Sequence, residues 1–504
     1  MIWSFLLSLS FYPGFFGFLA WFSLIRPLMI ISSLKGRPAF NAAYFFGFFF
    51  NLFSLYWVAQ VTIPGILASI IIVAFYYAAI LVIFNKVYRF RPLFGCVAVP
   101  FLWVGMEYFR TLSQFAFPWS DLGYSQAYYL NVLQIVSVIG AHGLSFVIVA
   151  VNVLLWQVFR SDVSPERRVT AVFVSLAIVG GLWSYGWIEM PKYPVPGKFK
   201  VALLQGNVPL DVKWERGNEF KAFSIYNDLT GEIADSTVGL YIWPETAVPC
   251  YLTHDLACRT EVGNIAIESK SYDLVGGLGA SYIKGKMRYF NSCFQFNKEG
   301  RMESRYDKVK LVPFSEHVPY QDYLGFLEQD FLRKYLTFIG TTVQWWSDFY
   351  PGDSAHLFKL PDHLYAVLIC FESTFPEFVR GDVLSGADFL VGITNDTWFG
   401  KSVGIYMHSR IFVTRCVENR IWGARVGNSG LTYIVDNYGR IRESIPIYRA
   451  ESLIGKLNSL NGYSVFTRYG DVVGRWSFLL TISISCILIA LWILAKFSHK
   501  RSQS

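Results

Sequence analysis

The chain reads as a multi-span α-helical membrane bundle with an α/β domain inserted before its last transmembrane helix. Three observations carry that reading. The composition, 53% hydrophobic and 18% aromatic against 16% charged over 504 residues, is too apolar for a soluble domain of this length. The apolar residues gather at the two ends, in runs near the ~20 residues that a bilayer crossing needs. Between Lys198 and Arg475 the composition is mixed, and apolar runs of strand type alternate with helical stretches.

Taken in order, the expected spans are Ile2 to Ser10, Pro13 to Ser32, Ala39 to Ala59, Pro64 to Phe84, Leu93 to Phe109, Asn131 to Phe159, Val169 to Trp187 and Trp476 to Ala495. The first is too short to cross alone; it reads as half of a helix kinked at Pro13-Gly14, or as a signal-like segment without a basic start. This divides the chain into an N-terminal bundle (1–190), an inserted domain (198–470), and a C-terminal helix with a basic tail (475–504). Basic residues mark alternate turns: Arg26, Lys35 and Arg37; Lys86, Arg89 and Arg91; Arg160, Arg167 and Arg168; then Lys496, Lys500 and Arg501. By the positive-inside rule those turns face the cytoplasm, and the inserted domain is expected on the outer side. The same turns account for most of the net charge of +8, so no nucleic-acid partner is expected. No zinc-type Cys/His spacing and no Gly-rich phosphate loop appear, and Gly276-Gly277-Leu278-Gly279 does not fit a dinucleotide fingerprint.

Within the domain, strands are expected at Phe199 to Val208, Gly239 to Glu245, Tyr272 to Leu278, Arg288 to Asn297, Ala366 to Glu372, Phe389 to Asn395 and Leu431 to Asp436. Helices are expected at Asn218 to Asp235, Asp255 to Ser269 and His408 to Arg425. The stretch Tyr365-Ala-Val-Leu-Ile-Cys370-Phe-Glu372-Ser-Thr-Phe-Pro376 sets one thiol where an apolar strand ends and a helix begins. Amides at a helix start favour a thiolate over a thiol and bind an oxyanion.

A cysteine after an apolar run is ordinarily an inert core residue. Its company here argues otherwise. Leu240-Tyr-Ile-Trp-Pro-Glu245 is a strand ending in a carboxylate, and Tyr306-Asp-Lys308-Val-Lys310-Leu-Val-Pro-Phe-Ser-Glu316 carries an ammonium. A thiol with a free pKa of about 8.5 needs a base or a nearby cation at neutral pH, and the oxyanion it creates needs a fixed donor. Strand alternation puts Lys308 and Lys310 on one face, so periodicity does not choose between them. This Glu, Lys, Cys set, with its flanks, resembles the nitrilase (carbon-nitrogen hydrolase) superfamily. The resemblance implies a nitrilase-like αββα sandwich, with Glu245 as general base and acid, Lys308 as oxyanion stabiliser and Cys370 as nucleophile. It also selects Lys308, which follows the Tyr-x pair, and implies supporting roles for Glu316, Glu372 and Asn291.

The membrane half narrows the family. Glu107-Tyr-Phe-Arg110, Phe117-Pro-Trp119, Gly123-Tyr-Ser-Gln126 and Gly140-Ala-His-Gly143, then Gln205-Gly-Asn207, Lys213-Trp214, Asn395-Asp-Thr-Trp398-Phe-Gly400 and Thr467-Arg-Tyr-Gly470-Asp471, resemble the apolipoprotein N-acyltransferase family of bacterial envelopes. The family is integral to the inner membrane with its domain in the periplasm. The resemblance implies a phospholipid acyl donor, a diacylglyceryl-apolipoprotein acceptor and a thioester on Cys370, without metal or other cofactor; a monomer is expected. Trp214 matches a lipid-site tryptophan; Phe371 and Trp398 are further substrate-binding candidates, and Trp345, Trp346 and Phe399 are candidates for lipid-facing loops. Two positions depart from the family pattern: Ser315 stands where glycine is usual and Phe371 where tyrosine is usual. A membrane-anchored amidase would use the same three residues, whereas an inactive scaffold would be expected to lose one. A transporter would carry ionisable residues deep inside its spans, and apart from Glu107, Arg110 and His142 this chain lacks them.

Overall fold

The computed structural model describes residues 1–61, 63–213, 219–233, 235, 237–321 and 348–501. The chain divides into two compact units: one comprises Met1–Tyr56, Leu67–Tyr185 and Asp471–Ser504, the other Trp57–Ile66 and Gly186–Gly470.

The first unit is helical. Seven stretches among the described residues are long and apolar enough to cross a membrane: Phe15–Ser33, Arg37–Gln60, Gly65–Phe90, Pro92–Phe109, Val136–Phe159, Pro165–Glu189 and Val472–Phe497. The opening helix Ile2–Leu9 has only 8 residues, about 12 Å of rise, and does not reach across a bilayer. The expected span from Pro13 to Ser32 is not one helix, because a 3₁₀ segment Phe15–Trp21 gives way to an α-helix only at Ile25–Ser33. The next boundary also moves. The helix Ile63–Phe90 continues past Phe84, which places Lys86 and Arg89 on its last turns instead of in a loop. The expected span from Asn131 splits into Leu130–Leu133 and Val136–Trp156, and the latter breaks at Gly140, whose φ of 71° and ψ of 172° suit glycine alone.

Helices that share a lipid solvent gain little from hydrophobicity, so contact between them rests on small residues and polar bonds. The last helix, Val472–Arg501, shows this against Pro92–Phe109. A Cβ added at Gly105 would stand 2.2 Å from Thr481 Oγ1 and 2.7 Å from the Ser477 carbonyl, and the Thr481 hydroxyl donates to the Phe101 carbonyl at 3.2 Å. Its other faces present Trp476, Leu479, Ile487, Leu491 and Trp492 outward, as a lipid-facing helix does.

The second unit is a sandwich of two six-stranded sheets. The strands are β1 (Phe199–Gln205), β2 (Leu240–Ile242), β3 (Tyr272–Ile283), β4 (Lys286–Phe296), β5 (Met302–Asp307), β6 (Leu357–Lys359), β7 (Leu364–Ile369), β8 (Phe389–Thr394), β9 (Gly423–Gly427), β10 (Thr432–Val435), β11 (Ile441–Ile445) and β12 (Glu451–Leu457). One sheet runs β12-β1-β2-β3-β4-β5 and the other β11-β10-β9-β8-β7-β6. Strand alternation builds the layers. Val201, Leu203, Leu240 and Ile242 face Tyr365, Val367, Ile369, Val391 and Ile393 in one apolar cluster between the sheets. Their neighbours Ala202, Leu204, Tyr241 and Trp243 point the other way, onto Phe223, Tyr226, Val262 and Ile265 of helices Glu219–Glu232 and Leu256–Ser269. Helices Pro376–Leu384 and Val403–Asn419 pack on the second sheet, completing the αββα order.

One expected helix fails here. Of His408 to Arg425 only the part up to Asn419 is helical, and Gly423–Gly427 is the buried strand β9, parallel to β8. The strands β5, β6, β11 and β12 add to those expected, and β12 pairs antiparallel with β1 along its whole length, joining the two ends of the domain.

The close helix contact is testable in the purified protein. Gly105→Leu is expected to destabilise the first unit by about 1–3 kcal/mol through overpacking, read as a lowered thermal midpoint. Gly181→Leu, where a Cβ meets nothing within 4 Å, is expected to leave the midpoint unchanged.

Candidate active site

Three carboxyl ends of parallel strands and two positions of the neighbouring antiparallel strands supply the site, the usual place for chemistry in an α/β sheet. Glu245 follows β2, Cys370 follows β7 and Asn395 follows β8, while Asn291 lies on β4 and Lys308 directly after β5.

Lys308 is 1% exposed and lies between two carboxylates, its Nζ 2.8 Å from Glu316 Oε1 and 3.4 Å from Glu245 Oε1. Burial opposes the ammonium, but Glu316 and Glu245 outweigh it and hold Lys308 protonated above the ordinary lysine range. Lys310 takes a different place: its ammonium lies 5.3 Å from the centre of the Phe375 ring. Asn291 Nδ2 donates to Glu245 Oε1 at 2.7 Å and to Glu316 Oε1 at 3.0 Å, and the Asn395 amide donates to Glu245 Oε2 at 2.7 Å. Glu316 is fixed in turn by the Val312 amide at 2.8 Å; the departing residue Ser315 belongs to the same tight turn, its amide bonded to the Val312 carbonyl.

Cys370 is the one cysteine of the second unit that is only partly buried; Cys250, Cys258, Cys293 and Cys416 are buried. It sits at φ 52°, a left-handed conformation that a non-glycine residue keeps only when its surroundings enforce it. The expected elbow is present with one insertion, a 3₁₀ turn Cys370–Thr374 between β7 and the helix Pro376–Leu384. The expected bias toward thiolate is reversed: burial, then the Glu245 charge, push the thiol well above its ordinary value, and Lys308 only partly offsets them. Cys370 therefore rests as a thiol, and any attack by its sulfur requires removal of that proton.

Glu372 acts as a tie. Its Oε1 accepts from the Tyr306 hydroxyl at 2.6 Å and the Val309 amide at 2.7 Å, and its Oε2 from the Ile369 amide at 2.8 Å. One carboxylate thus binds the segment that carries Lys308 to the end of the strand that carries Cys370. Phe371 is 1% exposed and packs edge-on against Phe375, and Trp398 is half-buried in the turn Asp396–Phe399. Phe399, expected in a lipid-facing loop, is instead buried, its ring 4.6 Å from that of Trp57 and 5.9 Å from that of His408. Trp214, Trp345 and Trp346 lie outside the described residues.

Three further residues support Cys370 from behind, and none of them is marked as a site residue by the sequence. His408 Nε2 lies 3.0 Å from the Cys370 carbonyl and its Nδ1 2.9 Å from Asp396 Oδ1, while Arg425 Nη2 donates to Asp396 Oδ2 at 2.6 Å. Burial opposes the charge of Asp396, yet Arg425 and His408 hold it ionised, below the usual carboxylate range. The chain Arg425, Asp396, His408 thereby braces the backbone of Cys370. Its sequence signal is Asn395-Asp396 directly after an apolar strand, whereas Arg425 falls at the end of the expected helix His408 to Arg425. Lys213 is also buried and donates to Thr246 Oγ1 at 2.8 Å, beside Glu245; burial lowers its pKa to about 7.

Two apposed sheets flanked by helices, with a carboxylate, an ammonium and a partly buried thiol at one end, joined to a multi-pass helical unit, define a membrane-bound protein of carbon-nitrogen hydrolase fold. A family model described as Carbon-nitrogen hydrolase matches residues 200–456, and one described as Apolipoprotein N-acyltransferase N-terminal domain matches residues 4–154. The apolipoprotein N-acyltransferase of Geobacter metallireducens is 32% identical over 483 residues, covering 93% of this chain and 90% of its own. That of Chlorobaculum tepidum is 28% identical over 487 residues, covering 90% and 89%. Among solved structures, an amidase from Nesterenkonia sp. covers 57% of this chain and 99% of its own at 16% identity and a TM-score of 0.38. The chain belongs to the apolipoprotein N-acyltransferase family. It is an acyltransferase and a multi-pass bacterial membrane protein.

The electrostatics predict opposite shifts in thiol reactivity. In the wild type, alkylation of Cys370 by iodoacetamide is expected to be slower at pH 8 than in the unfolded chain and to go on rising above pH 9, because the folded thiol holds its proton more tightly. Glu245→Gln removes a raising charge and is expected to move that profile to lower pH. Lys308→Met removes the lowering charge and is expected to move it higher, both read by mass spectrometry of the Cys370 peptide.

Proposed function

We propose that this enzyme transfers a fatty acyl chain from a membrane phospholipid to the free α-amino group of the diacylglyceryl-modified N-terminal cysteine of apolipoproteins, through a thioester on Cys370. The observation that carries the reading is the buried Lys308 ammonium, held between Glu245 and Glu316 beside the one thiol of the unit that is only partly buried. In the first half-reaction Cys370 Sγ attacks the ester carbonyl while Glu245 takes the thiol proton. The new C–S bond leaves a tetrahedral oxyanion, which Lys308 stabilises. Collapse breaks the C–O bond, and Glu245 returns the proton to the departing lysophospholipid alkoxide. In the second half-reaction the amine of the lipoprotein cysteine attacks the thioester, its proton passes to Glu245 and then to the leaving Cys370 sulfur, and an amide remains. The cycle is ping-pong and balances with no further co-reactant.

In this reading Asn291, Glu316 and Glu372 are positioning residues, Trp398 and Phe371 contribute to the acyl site, and Trp214 is a substrate-binding candidate. In the same reading residues 198–470 form the catalytic domain, and the enzyme acts as a monomer. The domain lies on the periplasmic side of the inner membrane, a placement supported by the basic turns at Arg26 to Arg37, Lys86 to Arg91 and Arg160 to Arg168 and by the basic C-terminus.

The test is mass spectrometry of the purified protein after incubation with phospholipid alone. Wild type is expected to gain a hydroxylamine-labile fatty-acyl adduct on Cys370, to pass it to an added diacylglyceryl lipopeptide, and to lose it only slowly to water. Cys370→Ala is expected to gain none. Loss to water faster than to the lipopeptide would make the enzyme a hydrolase, and a folded wild type without adduct would exclude a phospholipid donor.

A further inference from the structure

The motifs Glu107-Tyr-Phe-Arg110, Gly140-Ala-His142 and Gly470-Asp471 take no part in the chemistry above, yet the first unit brings them to one place. Glu107 lies in the last turn of the helix Pro92–Phe109, Asp121 precedes the 3₁₀ turn Leu122–Gln126, His142 follows the backbone break at Gly140, and Asp471 precedes the last helix. All are buried, Glu107 and Asp121 at 0%, Asp471 at 1% and His142 at 2% exposure.

Their hydrogen bonds leave a matched set of lone pairs. Glu107 Oε1 accepts from Trp103 Nε1 at 2.8 Å and from the Leu122 amide at 2.9 Å, while its Oε2 has no hydrogen-bond partner among the described residues. Both oxygens of Asp121 are likewise without one; the nearest cation, Arg110 Nη1, is 3.7 Å from Oδ1 and is engaged with Tyr77 and Phe117. His142 Nδ1 is bonded to the Asp471 carboxylate, and its Nε2, without a hydrogen-bond partner among the described residues, lies 3.4 Å from Asp121 Oδ2. A carboxylate behind a histidine, fixing its tautomer and raising its basicity, is the usual outer shell of a metal-ligating imidazole.

Distance and charge agree with that chemistry. One ligand atom from each of Glu107, Asp121 and His142 lies within 4.8 Å of the other two. Two ligands about 2.0–2.1 Å from one metal at a tetrahedral angle stand roughly 3.4 Å apart, the separation of His142 Nε2 and Asp121 Oδ2. Three carboxylates meet one guanidinium and one imidazole in a buried site, and a divalent cation offsets that acidic excess. We propose that Glu107, Asp121 and His142 bind one divalent transition-metal ion, zinc by the preference of a mixed imidazole and carboxylate set, with Asp471 as the outer-shell partner of His142. The ion pins two helices and the loop before Leu122 together, and through Asp471 the start of the last helix. The ligands span 36 positions without cysteine, which is why no zinc-type spacing marks them in the sequence.

The experiment is metal analysis of the full-length protein, purified in detergent without chelator, by plasma mass spectrometry, paired with thermal unfolding. Wild type is expected to carry about one zinc per chain. Stripping with a chelator is expected to lower the thermal midpoint, and added zinc chloride to restore it. Glu107→Gln, nearly isosteric and able to keep the Trp103 and Leu122 bonds, and His142→Ala are each expected to lose at least ten-fold of the bound zinc. Cys370→Ala is expected to keep it. Wild type with less than a tenth of an equivalent and no response to zinc would overturn the proposal and leave protons to neutralise the cluster. Zinc retained in folded Glu107→Gln, or lost in Cys370→Ala, would also overturn it, by placing the ion elsewhere.

Discussion

A lysine ammonium withdrawn from water is the constraint on which the second unit depends. Lys308 is 1% exposed, and a charge so placed is tolerable only with partners of opposite sign and good geometry. Those partners come from far along the chain, Glu245 after β2 and Glu316 in the turn beyond Lys308, with Asn291 of β4 bonded to both carboxylates. Meeting that demand fixes the end of one sheet. The Glu372 carboxylate then extends the order to the opposite sheet, because it takes donors from the Lys308 segment and from the end of β7. The thiol's left-handed backbone is held from behind by the His408, Asp396 and Arg425 chain.

This arrangement separates two tasks that a low-pKa cysteine would combine. The high proton affinity of Cys370 keeps the resting thiol uncharged, and on the proposed route the charge appears only as Glu245 removes the proton and Lys308 meets the developing oxyanion. Interactions stronger in the transition state than in the ground state are the ones that accelerate a reaction. A permanently charged Lys308 suits that role, since the site is organised before the oxyanion exists.

Much of this was legible in the chain itself, for reasons visible in particular residues. The central strands are buried on both faces, so β7 and β8 read as nearly unbroken apolar runs, and the polar residues that follow them, Cys370 and Asn395, stand out. Strands with little burial gave no such signal: β5 and β11 are mostly exposed or half-exposed and lack a clear period. β9 was hidden for another reason. Ile421-Trp422 continues the apolar character of the preceding helix with no breaker before Gly423, so Arg425 was read as helical and its bond to Asp396 was missed. In the membrane unit, hydropathy located the spans but not their interruptions, because the break at Gly140 and the 3₁₀ segment at Phe15–Trp21 change backbone geometry without changing polarity.

The most direct test of the central claim is the single-turnover rate at which Cys370 becomes acylated by phospholipid, followed by mass spectrometry of the Cys370 peptide in wild type and in folded Lys308→Met. If the buried ammonium stabilises the oxyanion, the thioester forms about 10²–10³-fold more slowly in the variant. Acylation of Lys308→Met at the wild-type rate would contradict the account.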